Sequence, residues 1–296
     1  MTSENFVSRL LDSSLIIQTN KKNYTIKLVR VGDYFQIYYF NRPKIKNDSN
    51  LDKIKDISLI NTDELIKKEN YVNNFQIRND NINRSKFSCQ RIIKANENKF
   101  KTFITLTFAD NVTDLKQANK IFNSFRTYIK RLKPDFCYVG VPEFQKRGAV
   151  HYHLLSNIDY NDFSILSTDE VKIWSPRSKS WKIGRNIIGW KKGFSLVCNM
   201  SSINVVAYLT KYMTKDVDNR LFGFRKYFHS RNLDRPEEFY LNMSDDSDFY
   251  LLADILSHTD LTYENSYLDV FGDVIDFVEL KKRGDDSPRS PRFDKI

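Results

Sequence analysis

The segment Glu143–Leu155 reads EFQKRGAVHYHLL. Lys146-Arg147-Gly148 has the composition of a turn, and the apolar runs on either side read as strands. Phe136–Glu143 and Val150–Leu155 are therefore expected to form an antiparallel hairpin. In a strand, side chains at i and i+2 point to one face. His151 and His153 then stand side by side, and Tyr152 points the other way. A turn centred near Arg147 sets Glu143 opposite His151, and directly opposed residues share a face. Two imidazoles and one carboxylate with open positions suit Mg²⁺ or Mn²⁺ that must also hold a phosphate. A structural zinc site wants four closed ligands, and no cysteine is suitably spaced to supply them. Taken alone, the histidine pair also fits two rings on a wet face, and Glu143 an ordinary surface carboxylate.

Working outward, Phe100–Phe108 (FKTFITLTF) has the apolar and threonine content of a strand buried at the centre of a sheet. Asp114–Leu132 has helical spacing, with Leu115, Ala118, Phe122, Phe125, Ile129 and Leu132 on one side and Pro134 as a stop. Arg84–Asn96 reads as a basic helix, with Phe87, Ile92 and Ile93 as its apolar side. Ile173–Phe194 reads as an insertion of short strands and turns, and Val205–Thr214 as a helix. Tyr24–Phe40 suggests one or two strands with a turn near Gly32-Asp33, and Asn47–Asn83 loop and short helix. The order of elements predicts an α+β fold, a central antiparallel sheet with flanking helices. Three regions are expected: an N-terminal accessory region (1–83), a central domain (84–240) and an acidic C-terminal region with a disordered tail (241–296).

The helix at Val205–Thr214 carries Tyr208 and Tyr212, which share a helix face at spacing i, i+4. Such a pair is usually core, but Lys211 and Lys215 beside it favour a polar role. A phenol is a poor nucleophile at neutral pH, yet it attacks a phosphodiester when cations stabilise the charge that develops. Lys211 or Lys215 would lower the phenol pKa or hold the phosphate.

Charge points the same way. The 296 residues carry a net charge of +10. Pro236–Glu279 holds 12 acidic residues and no Lys or Arg, and the last 17 residues hold six basic and three acidic groups. The first 235 residues therefore carry +19, an excess that attracts nucleic acid. Candidate DNA contacts are Arg84, Lys86, Arg91 and Lys94 on the basic helix. Lys172, Trp174, Arg177, Lys179, Trp181, Lys182, Arg185, Trp190, Lys191 and Lys192 form a second, tryptophan-containing set suited to single-stranded or hairpin DNA. The tryptophans equally fit pins of a small subdomain. Three scattered cysteines exclude a disulfide framework and fit a reducing cytoplasm. No signal peptide and no membrane-spanning run is read, and no phosphate-binding GxxxxGK[ST] loop of a built-in helicase is present.

FITLTF, EFQKRGAVHYHLL and AYLTKYMTK, in this order, resemble the three motifs of HUH endonucleases. More narrowly, they resemble the rolling-circle replication initiators of small single-stranded DNA phages and related plasmids. The stretch Arg225–Leu233 (RKYFHSRNL) with Pro236, and the basic stretch Arg84–Lys94, are similar to theirs as well. The resemblance covers about residues 84–240 and implies an RRM-like sheet. It implies His151 and His153 as metal ligands, with Glu143 as the third. It also implies nucleophilic attack by Tyr208 or Tyr212, a covalent 5′-phosphotyrosine link to DNA, and a free 3′-OH extended by host polymerase behind a helicase supplied in trans. A relaxase or transposase sharing this chemistry, and a non-catalytic DNA-binding regulator, are the alternatives.

Overall fold

The structure, a computed structural model, describes residues 23–45, 83–175, 179–200, 209–210, 213, 224–243, 245–268 and 272–283. The chain divides into two compact units, Thr62–Asp234 and the pair of segments Met1–Asn61 and Arg235–Ile296. The fold class is α+β, with antiparallel sheets and few helices.

In the order of the chain, the second unit contributes β1 (Asn23–Val31) and β2 (Tyr34–Ile45), joined by a turn in which Gly32 has φ 59°. The first unit contributes α1 (residues 83–95), β3 (Thr102–Phe108), α2 (Leu115–Leu132), β4 (Tyr138–Phe144) and β5 (Val150–Ser156). It continues with β6 (Leu166–Ser175), β7 (Ser180–Ile187), β8 (Gly193–Asn199) and the short β9 (Phe228–His229). The second unit resumes with β10 (Glu237–Leu241), α3 (Asp246–Ser257), β11 (Thr259–Leu268) and β12 (Val274–Lys282).

The unit Thr62–Asp234 is built on a seven-stranded sheet of order β6-β7-β8-β3-β5-β4-β9, antiparallel throughout. Strand alternation gives it two faces. Ile104, Leu106, Phe108, Tyr138, Tyr152 and Leu154 bury one face against Leu115, Ala118, Phe122, Phe125 and Ile129 of α2. Phe122 is the hub, with its ring centroid 5.0 Å from those of Tyr152 and Phe228 and 5.7 Å from that of Tyr138. The helix starts at Asp114, whose carboxylate accepts from the Lys116 N–H. The opposite face packs Phe103, Val139, Val141 and Leu155 against Cys89, Ile92 and Ile93 of α1. Asn96, fully buried after α1, ties that helix to the end of the unit: its side chain donates to Asp234 O and accepts from Asp234 N–H.

Several sequence expectations shift in the structure. Phe87 is 56% exposed and Cys89 takes its place on the apolar side, because two residues turn a helix by about 200°. Leu132, in the last turn of α2, is 44% exposed. The segment read as an insertion is a long β6–β7 hairpin that extends the main sheet. The stretches 46–82 and 284–296, read as loop with short helix and as a tail, lie outside the described residues.

The other unit is a five-stranded antiparallel sheet of order β10-β1-β2-β12-β11. Ile26, Leu28, Ile37, Val278 and Leu280 bury one of its faces with Leu252, Ile255 and Leu256 of α3. The acidic C-terminal stretch is therefore largely ordered through Lys282, with β1 paired to β10 and β2 to β12.

Candidate metal centre

Glu143, His151 and His153 come together on the α1 face of the central strands. The register places Glu143 opposite His151, as the hairpin argument requires. Their ligand atoms all lie within 4.8 Å of one another, and this is the one such cluster of three among the described residues. Nε2 of His153 is 2.7 Å from Oε2 of Glu143, and the two imidazole centroids are 5.7 Å apart at 81°. The imidazole of His153 is stacked on Phe103, centroids 5.7 Å apart, and its Nδ1 is 3.4 Å from the Thr105 hydroxyl. Thr105 and Phe103 hold this ring from the β3 side, which leaves Nε2 turned toward the carboxylate. The donor set fits a divalent cation: two neutral-nitrogen donors and one carboxylate that already converge.

Cross-strand rows show how the face is graded. Glu143, His151, Thr107 and Phe194 form one row across β4, β5, β3 and β8. The next row is Val141, His153, Thr105 and Leu196, and the third is Val139, Leu155, Phe103 and Cys198. The face thus runs from polar and open at Glu143 and His151 to apolar and closed at Val139 and Leu155. Leu209 and Met213, both helical, are buried in the same cluster as Val139, Val141 and Leu155. Tyr208, Lys211, Tyr212 and Lys215 lie outside the described residues.

Tyr152, between the two histidines, faces the α2 side, where its hydroxyl donates to Asn119 Oδ1 at 2.7 Å. Burial pushes its pKa up, so it stays a protonated core phenol.

The sequence-derived DNA contacts fall into separate groups. Arg84 is exposed on α1, and Lys86, Arg91 and Lys94 are half-buried there, on the helix that covers the metal face. Lys172, Trp174, Lys179, Trp181 and Lys182 lie on the β6–β7 hairpin. Trp174 opposes Trp181, centroids 5.5 Å apart, and both rings are open to solvent. The register from β3 through β8 to β7 puts Trp181 and Trp174 on the α2 side, opposite the histidines. Arg177 lies outside the described residues. Lys191 and Lys192 are exposed.

Two members of that set serve the fold. Trp190 is 5% exposed, packs edge-on against Phe108 and Phe125, and donates its Nε1–H to Thr107 O. No face of its ring is left for a base. Arg185 pairs with Glu170 at 3.3 Å and lies over the Tyr160 and Phe163 rings, so its guanidinium is spent within the fold.

Sequence reasoning missed Phe103, Thr105, Thr107 and Phe194 as members of this face. The alternation in FITLTF carries the signal for the first three, since every second residue from Phe103 shares the face of the histidines.

No described helix is long and apolar enough to cross a membrane. No solved structure matches the chain. A protein of Escherichia coli described as "Phasyl DNA replicon protein arp" is 30% identical over 141 residues, covering 42% of this chain and 46% of that protein. The chain thus aligns with just under half the length of that relative. Residues 101–217 match a family of replication-associated proteins of the ORF2 type. That stretch holds all three clustered ligands, and both matches support a part in the initiation of DNA replication.

Proposed function

We propose that this chain starts rolling-circle replication by cutting one strand of origin DNA. Glu143, His151 and His153 would hold Mg²⁺ or Mn²⁺ beside the scissile phosphate. When bound, the ion supplies positive charge to the phosphate oxygens as the transition state forms. The phenol of Tyr208 or Tyr212 attacks phosphorus and loses its proton, while the 3′-oxygen leaves and gains one. The products are a 5′-phosphotyrosine and a free 3′-OH for a polymerase. Lys211 and Lys215 lower the cost of the phenolate or hold the phosphate. Thr105 and Phe103 position the His153 ring, so that its Nε2 and the Glu143 carboxylate meet one ion. Origin DNA, single-stranded or in a hairpin, is the substrate, with host helicase and polymerase as partners.

One observation carries this reading. Glu143, His151 and His153 converge within the stretch that matches the replication-associated family, on the face where Leu209 and Met213 are buried. In sequence, those two residues directly follow Tyr208 and Tyr212.

The test uses full-length protein, Mn²⁺ and single-stranded oligonucleotides tiled across its own replicon. A nick at one position, abolished by EDTA and by His151→Ala, is expected. Tight DNA binding with no cleavage on any tile would leave a DNA-binding regulator and remove the nuclease.

A further inference from the structure

The metal face carries a large ring that the chemistry above does not use. Phe194 is 41% exposed, although β8 is an interior strand with β7 on one side and β3 on the other. It ends the row Glu143–His151–Thr107–Phe194. With strands about 4.8 Å apart, its Cα lies roughly 10 Å from that of His151, and the small Thr107 between them forms the floor.

The backbone beneath this ring is fixed. Gly193 has φ 155°, and a Cβ there would sit 2.2 Å from Thr107 O and 2.5 Å from Ala109 N, so only glycine lets β8 close on β3. Ala109 N–H donates to Lys192 O at 2.9 Å, and Trp190 anchors the approach through Thr107 O. Lys191 and Lys192, both exposed, immediately precede this corner. An open aromatic ring on a rigid sheet, beside two lysines and a phosphate-binding site, has the properties of a base-stacking platform.

We infer that Phe194 stacks on a nucleobase of single-stranded DNA next to the phosphate held at Glu143, His151 and His153, with Lys191 and Lys192 on the neighbouring backbone. This rests on the metal centre being a DNA site. Phe194 is a positioning residue for the strand. Stacking tolerates every base, so the ring would set where the strand lies and leave sequence choice to other contacts.

The test is binding, which needs no cleavage. Full-length protein is titrated into a labelled single-stranded oligothymidine of about 20 nucleotides, with Mn²⁺ present. Phe194→Ala should weaken binding about 5- to 150-fold, Phe194→Leu should weaken it similarly, and Phe194→Trp should restore it. Circular-dichroism melts of all three should match wild type. A 5-iodouracil walked along the oligonucleotide should photocrosslink to the peptide containing Phe194. Equal affinity for wild type, Phe194→Ala and Phe194→Leu, with no crosslink at that peptide, would overturn the inference even if the protein nicks DNA. A crosslink at Phe194 in a protein that never nicks would uphold stacking and sink the nuclease reading alone.

Discussion

Nε2 of His153 lies 2.7 Å from Oε2 of Glu143, across the β4–β5 hairpin. Without an ion, this contact is a hydrogen bond between imidazole and carboxylate. With one, both atoms turn to the same centre, and the imidazole proton has to leave.

Glu143→Gln should therefore lower Mn²⁺ affinity by at least about tenfold. Thr105→Val should lower it by about tenfold through loss of the Nδ1 partner. Calorimetric titration of Mn²⁺ reads both, and Mn²⁺ affinity unchanged in Glu143→Gln would remove Glu143 from the ligand set. Because both histidines must be neutral to bind, affinity should fall as pH falls.

Phe122 holds the α2 face of the sheet together. Phe122→Ala should cost about 3–5 kcal/mol, read by urea denaturation. A loss below about 1 kcal/mol would mean that Tyr152, Tyr138 and Phe228 do not depend on it.

Alkaline pH should destabilise the fold. Burial raises the Cys89 thiol from 9.0 to about 12, and it raises Cys137 and Tyr138 as well. A group with a raised folded pKa adds stability below its unfolded pKa and loses it as pH climbs to the folded value. For Cys89 that window runs from 9.0 to about 12. Denaturation midpoints should fall across it. Native Cys89 should also resist iodoacetamide at pH 8 and react once the chain is unfolded in guanidinium.

The tryptophans should separate by role. Trp174→Ala and Trp181→Ala should leave stability unchanged and weaken single-stranded DNA binding. Trp190→Ala should cost about 3–5 kcal/mol. A thermal melt and an anisotropy titration on each variant distinguish the two roles, and unaltered DNA binding in the Trp174 and Trp181 variants would take the hairpin out of the interface.

Much of the metal centre is legible in the sequence because it is local. One tight turn brings Glu143 opposite His151, and period-two alternation pairs His151 with His153. The α2 core is legible for the same reason, since 3.6-residue periodicity alone selects Phe122 and Ile129. Phe194 is not, because its place in the metal row depends on β8 pairing with β3, some 85 residues earlier in the chain. Trp190 misleads because composition cannot distinguish a ring in the core from one in solvent. The sheet that joins β1 and β2 to strands more than 190 residues later is invisible to any local pattern.

The central claim is covalent attachment through the tyrosine helix. It is tested by incubating wild type with Mn²⁺ and a cleaved oligonucleotide, digesting with trypsin, and sequencing the DNA-linked peptide by mass spectrometry. The account predicts a linkage at Tyr208 or Tyr212, and no adduct from the double variant Tyr208→Phe, Tyr212→Phe. A linkage at any other residue, or an adduct that survives in the double variant, would contradict it.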